Sequence, residues 1–153
     1  MREAIGGTWL FGLVLTFIVF FASFLAVSIN YSKAFNVKNN IVDLIGKYEG
    51  NNKCARQKIG EYLKDVGYLV IGTCPSGYTP YNLEGEKISS SNKGYYCLAS
   101  EETTSTVVDK KYYRIVVFFK LDLPMVGDLT TFKIKGETEA IFFANDSDIM
   151  TCS

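Results

Sequence analysis

Residues 8–31 read TWLFGLVLTFIVFFASFLAVSINY, and this stretch decides how the rest of the chain must be read. No charged residue lies between Glu3 and Lys33, and the apolar run from Trp9 to Ile29 covers 21 positions. A helix of that length rises about 32 Å, enough to cross the hydrocarbon core of a bilayer. Trp9 and Tyr31 stand at its two ends, where amphipathic rings favour the headgroup layer, and Arg2, Lys33 and Lys38 lie just outside. Residues 1–31 are therefore read as a membrane anchor. A cleaved signal peptide is the alternative, because Ala26, Val27 and Ser28 offer small residues at a peptidase spacing. Against it, the single basic residue of the amino-terminal region is offset by Glu3, and the apolar run exceeds the ~7–15 residues of a signal-peptide core.

Residues 32–153 form the second part, expected to be one domain on the far side of the anchor. Flanking charges do not decide the orientation, since Arg2 and the amino terminus stand against Lys33 and Lys38. Cysteine usage does: Cys54, Cys74, Cys97 and Cys152 all follow the span, an even number in a small domain, which suits an oxidising compartment. The amino terminus is placed in the cytoplasm and the domain outside the cell membrane. Four cysteines allow three pairings. Cys74 with Cys97 is favoured, because it would close the polar loop PSGYTPYNLEGEKISSSNKGYY and restrain a floppy excursion; Cys54 with Cys152 would then fasten the carboxyl-terminal segment to a helix. A zinc site is disfavoured by the absence of close cysteine pairs and of histidine.

Beyond the span the helical pattern continues, with Phe35, Ile41, Leu44, Ile45 and Tyr48 recurring at helical steps until Gly50. A second helix is predicted from about residue 52 to 66, with Ala55, Ile59, Tyr62, Leu63 and Val66 on one face and Gly67 ending it. Short β-rich runs follow at residues 68–73 and 94–100. The strongest strand is residues 112–123, where Tyr113, Ile115, Val117, Phe119, Leu121 and Leu123 share one side at period two. Arg114, Lys120 and Asp122 fall on the other side among apolar neighbours, which places this strand centrally. A last strand is predicted over residues 131–143, with Phe132, Ile134, Thr138, Ala140 and Phe142 inward and Lys133, Lys135, Glu137 and Glu139 outward. Pro124 and Gly127 break the ladder between these two strands in a connection suited to a hairpin. The fold class is α+β: a long amino-terminal helix continuing outward, a second helix, then a small antiparallel sheet.

Chemistry is sparse. The chain has 16 basic and 16 acidic residues, giving no electrostatic footprint for nucleic acid. It contains no histidine, the commonest general base and metal ligand. Neither phosphate loops nor activated nucleophiles occur at usable spacing, so no catalytic residue, cofactor site or metal site is predicted. The acidic pairs Glu101 with Glu102 and Glu137 with Glu139 read as solvated faces, and Asn145-Asp146-Ser147 matches a glycosylation sequon too short to carry weight. Two patterns are candidates for contact. Tyr78, Tyr81, Tyr95 and Tyr96 cluster around the proposed disulfide loop and would either pack that loop or present a contact surface. In the span, Gly12 with Thr16 and Ala22 with Ala26 place small residues four apart, a spacing that lets membrane helices approach closely.

The segments MREAIGGTWLFGLVL, INYSKAFNVKNNIVDLI, LDLPMVGDL and FKIKGETEAIFF together resemble TadE-like pseudopilins, minor components of bacterial tight-adherence and related type IV pilus systems. The phrase FFKLDLPMVGDLTTFKIKGETEAI is similar to their closing hairpin. The resemblance implies an assembly role without enzymatic activity, in which the helix packs against other pilin-like subunits or pilus assembly proteins. It also implies a processing site at Gly6 or Gly7, although no glutamate follows five residues into the helix, as it typically does in such systems. The alternative is a membrane-tethered binding or adhesion module that enters no filament.

Overall fold

The computed structural model describes residues 2–104, 109–123, 127–144, 146 and 152. Helix α1 is Arg2–Lys47, one uninterrupted element, and the first proline of the chain comes only at Pro75. It therefore joins the apolar run to the domain without a hinge. Its far end closes in a Schellman motif: the Gly50 N–H donates to the Ile45 carbonyl at 3.0 Å and the Glu49 N–H to the Gly46 carbonyl at 3.2 Å. Glu49 takes the left-handed position at φ 55°, which glycine fills in most helices of this kind.

Helix α2, Lys53–Asp65, doubles back against α1. Asn52 makes the corner. Its Oδ1 accepts from the Ala55 N–H at 2.9 Å and caps α2, while its Nδ2 donates to the Tyr48 carbonyl at 2.7 Å and satisfies the last turn of α1. Gly67, at φ +61°, ends α2 as expected, with the Tyr68 N–H donating to the Leu63 carbonyl at 2.9 Å. Mid-helix Gly60 is explained by packing, because a Cβ there would overlap the Leu83 carbonyl.

Among the described residues seven strands follow: β1 (Gly72–Thr73), β2 (Thr79–Tyr81), β3 (Lys93–Gly94), β4 (Tyr96–Thr104), β5 (Asp109–Leu123), β6 (Gly127–Glu137) and β7 (Ile141–Phe142). The main sheet runs β2-β4-β5-β6, antiparallel throughout, with β7 also on β5, and β1 pairs β3 in a separate ribbon. The fold is thus α+β with a small antiparallel sheet, and β5 is interior as its pattern predicts.

The core lies between the helices and one face of this sheet. Ala34, Val37, Ile41 and Ile45 of α1 and Ile59 and Leu63 of α2 pack with Tyr96, Leu98, Tyr113, Ile115, Val117, Phe119 and Ile134. The opposite face of β5 is buried too. Val116 and Phe118 join the Cys74–Cys97 disulfide under the β1–β3 ribbon, and Gly72 lies so close to the Phe118 ring that a side chain there would overlap it. The domain is accordingly three layers: helices, sheet and ribbon.

Three sequence expectations need correction. The run at residues 68–73 yields only the two residues of β1, because its partner is the equally short β3. The loop after Cys74 is not a floppy excursion: it contains β2, and Asn82 Oδ1 accepts from the N–H groups of Glu84 and Glu86 in a tight turn. The last strand is broken, since the Tyr113 N–H donates to Thr138 Oγ1 at 3.0 Å and a side chain takes the place of a ladder carbonyl. Beyond that break Phe142 is half exposed, not inward. Residues 124–126 of the expected hairpin turn lie outside the described residues.

Candidate functional site

The most unusual surface of the molecule is the first half of α1, which is long and apolar enough to cross a membrane. From Trp9, 76% exposed, to Ile29, 68% exposed, large apolar side chains project from the helix with no protein around most of them. The hydroxyls of Thr16, Ser23 and Ser28 donate to the carbonyls four residues earlier, Gly12, Val19 and Phe24, at 2.9, 2.9 and 3.0 Å. The helix thereby satisfies these polar groups internally, which an apolar surrounding requires.

On this half Gly12 and Thr16 flank a shallow apolar groove with Trp9, Leu13, Phe17 and Phe20. Apart from the helix's own neighbouring backbone, no atom of the described residues lies within 4 Å of where a side chain at Gly6, Gly7 or Gly12 would begin. Ala22 is exposed and Ala26 half-buried. At about 100° per residue, Gly12, Thr16 and Ala26 fall on the side of α1 that carries Ala34, Val37, Ile41 and Ile45, with Ala22 at its margin. The close-approach face is therefore continuous with the face that binds the sheet.

The four cysteines form two disulfides, Cys74–Cys97 with Cα atoms 5.8 Å apart and Cys54–Cys152 at 5.3 Å. The first pins the ribbon to β4; the second ties Cys152 to the first turn of α2.

The tyrosine cluster divides between core and partly open positions. Tyr81 and Tyr96 are core residues, stacked at 5.2 Å between ring centroids, while Tyr78 and Tyr95 are half-buried against the two cores. Burial pushes the phenols of Tyr68 and Tyr96 above their ordinary range, with the Phe118 backbone working the other way at Tyr68, and the Tyr96 hydroxyl has no hydrogen-bond partner among the described residues.

A polar cluster that no sequence spacing indicates sits at the far end of the domain. Asp146 accepts from the Asn51 N–H at 2.9 Å, from the Tyr113 hydroxyl and from the Lys111 ammonium, which also pairs with Glu102 at 2.7 Å. Burial disfavours the ionised carboxyl, but the hydrogen bonds from Lys111, Tyr113 and Asn51 outweigh it and hold Asp146 below the usual carboxylate range. Burial likewise works against the charge on Lys111, whose two carboxylate partners nonetheless hold it above its ordinary value. Asn145 and Ser147 of the sequon lie outside the described residues. Nearby, Arg114 pairs with Glu101 and, at 3.7 Å, with Glu137, so these acidic residues are partnered across strands. Among the described residues no three acidic or cysteine side chains cluster in a way that could hold a metal ion.

Comparison with family models, with characterised proteins and with solved structures finds no match for this chain.

Proposed function

We propose that this chain is a non-enzymatic, membrane-anchored subunit of pilin-like build, similar in kind to TadE-like pseudopilins. Its amino terminus lies in the cytoplasm, its domain is extracytoplasmic, and α1 brings it into a bacterial surface pilus or a related secretion complex beside other pilin-like subunits. The observation that carries this reading is the double use of α1. One continuous helix is a wall of the domain core at Ala34–Ile45 and a largely open apolar rod at Trp9–Ile29. A rod built into the core transmits position from lipid or neighbouring helices to the domain without a flexible joint. Two disulfides in the domain support an oxidising compartment and hence the orientation.

Gly12→Phe and Ala22→Phe test the assembly role. Both positions are exposed, and a side chain at Gly12 would meet nothing within 4 Å beyond its own helix, so a bulky residue there leaves the fold of the single chain unaltered. Loss of the chain's complexes from gently solubilised native membranes, with both disulfides retained, is the expected result. Unchanged complexes would sink the assembly reading and favour a tethered binding module. That second reading draws on Phe143, which is 81% exposed next to β7 at the end of the sheet remote from the apolar rod. Non-reducing mass spectrometry of the native protein reads the terminus as well: cleavage after Gly6 or Gly7 supports a pilin pathway, and an intact start supports a permanent anchor.

A further inference from the structure

We propose that the β5–β6 end of the sheet is a second membrane contact: the two strands descend beside α1 into the outer lipid layer, so the domain is seated in the bilayer surface. The proposal rests on the reading of α1 as a membrane span. The level of the strands along the helix is fixed by three rings. Tyr31 meets Phe119 of β5 edge-on with centroids 5.9 Å apart, and Phe119 stacks on Phe132 of β6 at 5.1 Å. The direction is fixed further up, where Gly136, register partner of Ile115, lies against Lys38.

Past Phe119, β5 continues to Leu123, where it pairs with Gly127 of β6. Four more residues at about 3.3 Å each, interrupted by a register shift between Lys120 and Asp122, carry the strands at most about 13 Å beyond Tyr31, a distance α1 covers in about nine residues. That sets the level of Ala22 as the furthest reach. Burial along α1 marks the same point independently: residues 6–22 are exposed throughout, and partial cover begins at Ser23 and recurs at Ala26, Val27 and Asn30. On those same turns Phe24, Leu25 and Ile29 remain 61, 58 and 68% exposed. One face of the helix is thus partly covered, on the side where the strands run, and the remaining faces at that level are apolar and open.

A span of Trp9–Ile29 just fills a hydrocarbon core about 30 Å thick, which puts Ser23–Ile29 in its outer 10 Å or so. Strands lying against those residues share that layer. Their composition suits it: in residues 121–123 and 127–132 the only charged residues are Asp122 and Asp128, among Leu121, Leu123, Leu129 and Phe132. Asp122 and Asp128 are register partners. Two carboxylates in this stretch of sequence limit the depth to the interfacial zone, where charge is tolerated far better than at mid-bilayer.

The test uses the chain's single tryptophan. The full chain is reconstituted at low density in phosphatidylcholine vesicles brominated in the upper acyl chain, and Leu123→Trp and Thr103→Trp are each placed in a Trp9→Phe background. Trp at position 123 should lose emission to the brominated lipid and shift to the blue, while Trp at 103, exposed near the other end of the sheet, should do neither. Quenching of native Trp9 with none at position 123 overturns the second contact and leaves the span intact; absence of quenching at Trp9 overturns the span and this proposal with it. A blue shift at 123 that grows with protein density and shows no bromine quenching assigns the face to a second copy and refutes the lipid contact. Leu129→Trp repeats the measurement on β6, and retention of both disulfides certifies the fold of each variant.

Discussion

Asn52 offers the sharpest test of how the domain is held on its helix. Its fully buried side chain closes two helix ends at once, accepting from the Ala55 N–H and donating to the Tyr48 carbonyl. Asn52→Ala removes both bonds and leaves a donor and an acceptor without partners. The lost cap contributes about 1 kcal/mol. The lost bond to Tyr48 contributes about 1 kcal/mol more, rising where the carbonyl stays shielded from water, for a total of roughly 2–3 kcal/mol. Asn52→Ser separates the two, because a hydroxyl still accepts from the Ala55 N–H but does not reach back to Tyr48; it should cost about half as much. Urea unfolding of the full chain in detergent, followed by tyrosine emission with disulfides intact, gives both values against the unaltered protein. Equal losses for Ala and Ser, or a loss below about 0.5 kcal/mol for Ala, would refute the argument that one side chain caps both helices.

Tyr96→Phe should leave stability unchanged or raise it by up to about 1 kcal/mol in the same assay, since it deletes a buried hydroxyl with no partner among the described residues; a loss beyond 1 kcal/mol would mean that the hydroxyl is satisfied after all. Replacing Cys74 and Cys97 together by alanine opens a link of sequence separation 23, worth about 3.4 kcal/mol by chain entropy, and should lower the urea midpoint accordingly. Asp146→Asn should cost about 1 kcal/mol at neutral pH, allowing for its partial exposure. Its depressed carboxyl stabilises the fold fully above the unfolded value near 3.9 and loses that contribution as pH falls through the lower folded value. The variant should therefore show a shallower acid limb below about pH 4 in a pH series of midpoints, and an unchanged limb would contradict the assignment.

What could be read from the sequence was whatever repeats at a fixed period. The alternation from Tyr113 to Phe119 gave β5 its inner face, and the steps Ala55, Ile59, Leu63 with Gly67 gave α2 its face and its end. The outer face of β5 was harder, because Val116 and Phe118 stand between Arg114 and Lys120, and only the fold brings the ribbon over them. β2 was missed since three residues carry no period and Pro80 lacks an N–H; at an edge position it can still pair with Cys97 in register. Tyr81 and Tyr96 stand in a polar context that leaves packing and surface contact both open, and the stacked pair buries both rings. The Asp146 cluster joins residues up to 95 positions apart, and no local pattern encodes such a meeting.

The Cys54–Cys152 bond also settles how tension travels. It spans a sequence separation of 98 residues and fastens Cys152 one turn after the corner where α1 ends. A pull between α1 and Cys152 passes from Lys47 through the corner at Asn52 to Cys54 and across the sulfurs, bypassing the sheet. Strands β1 to β7 hang from this route as a closed covalent loop, shielded from the load. Mechanical strength along that axis is set by one sulfur–sulfur bond and a short turn, and the hydrogen-bonded ladders of β4, β5 and β6 carry none of it.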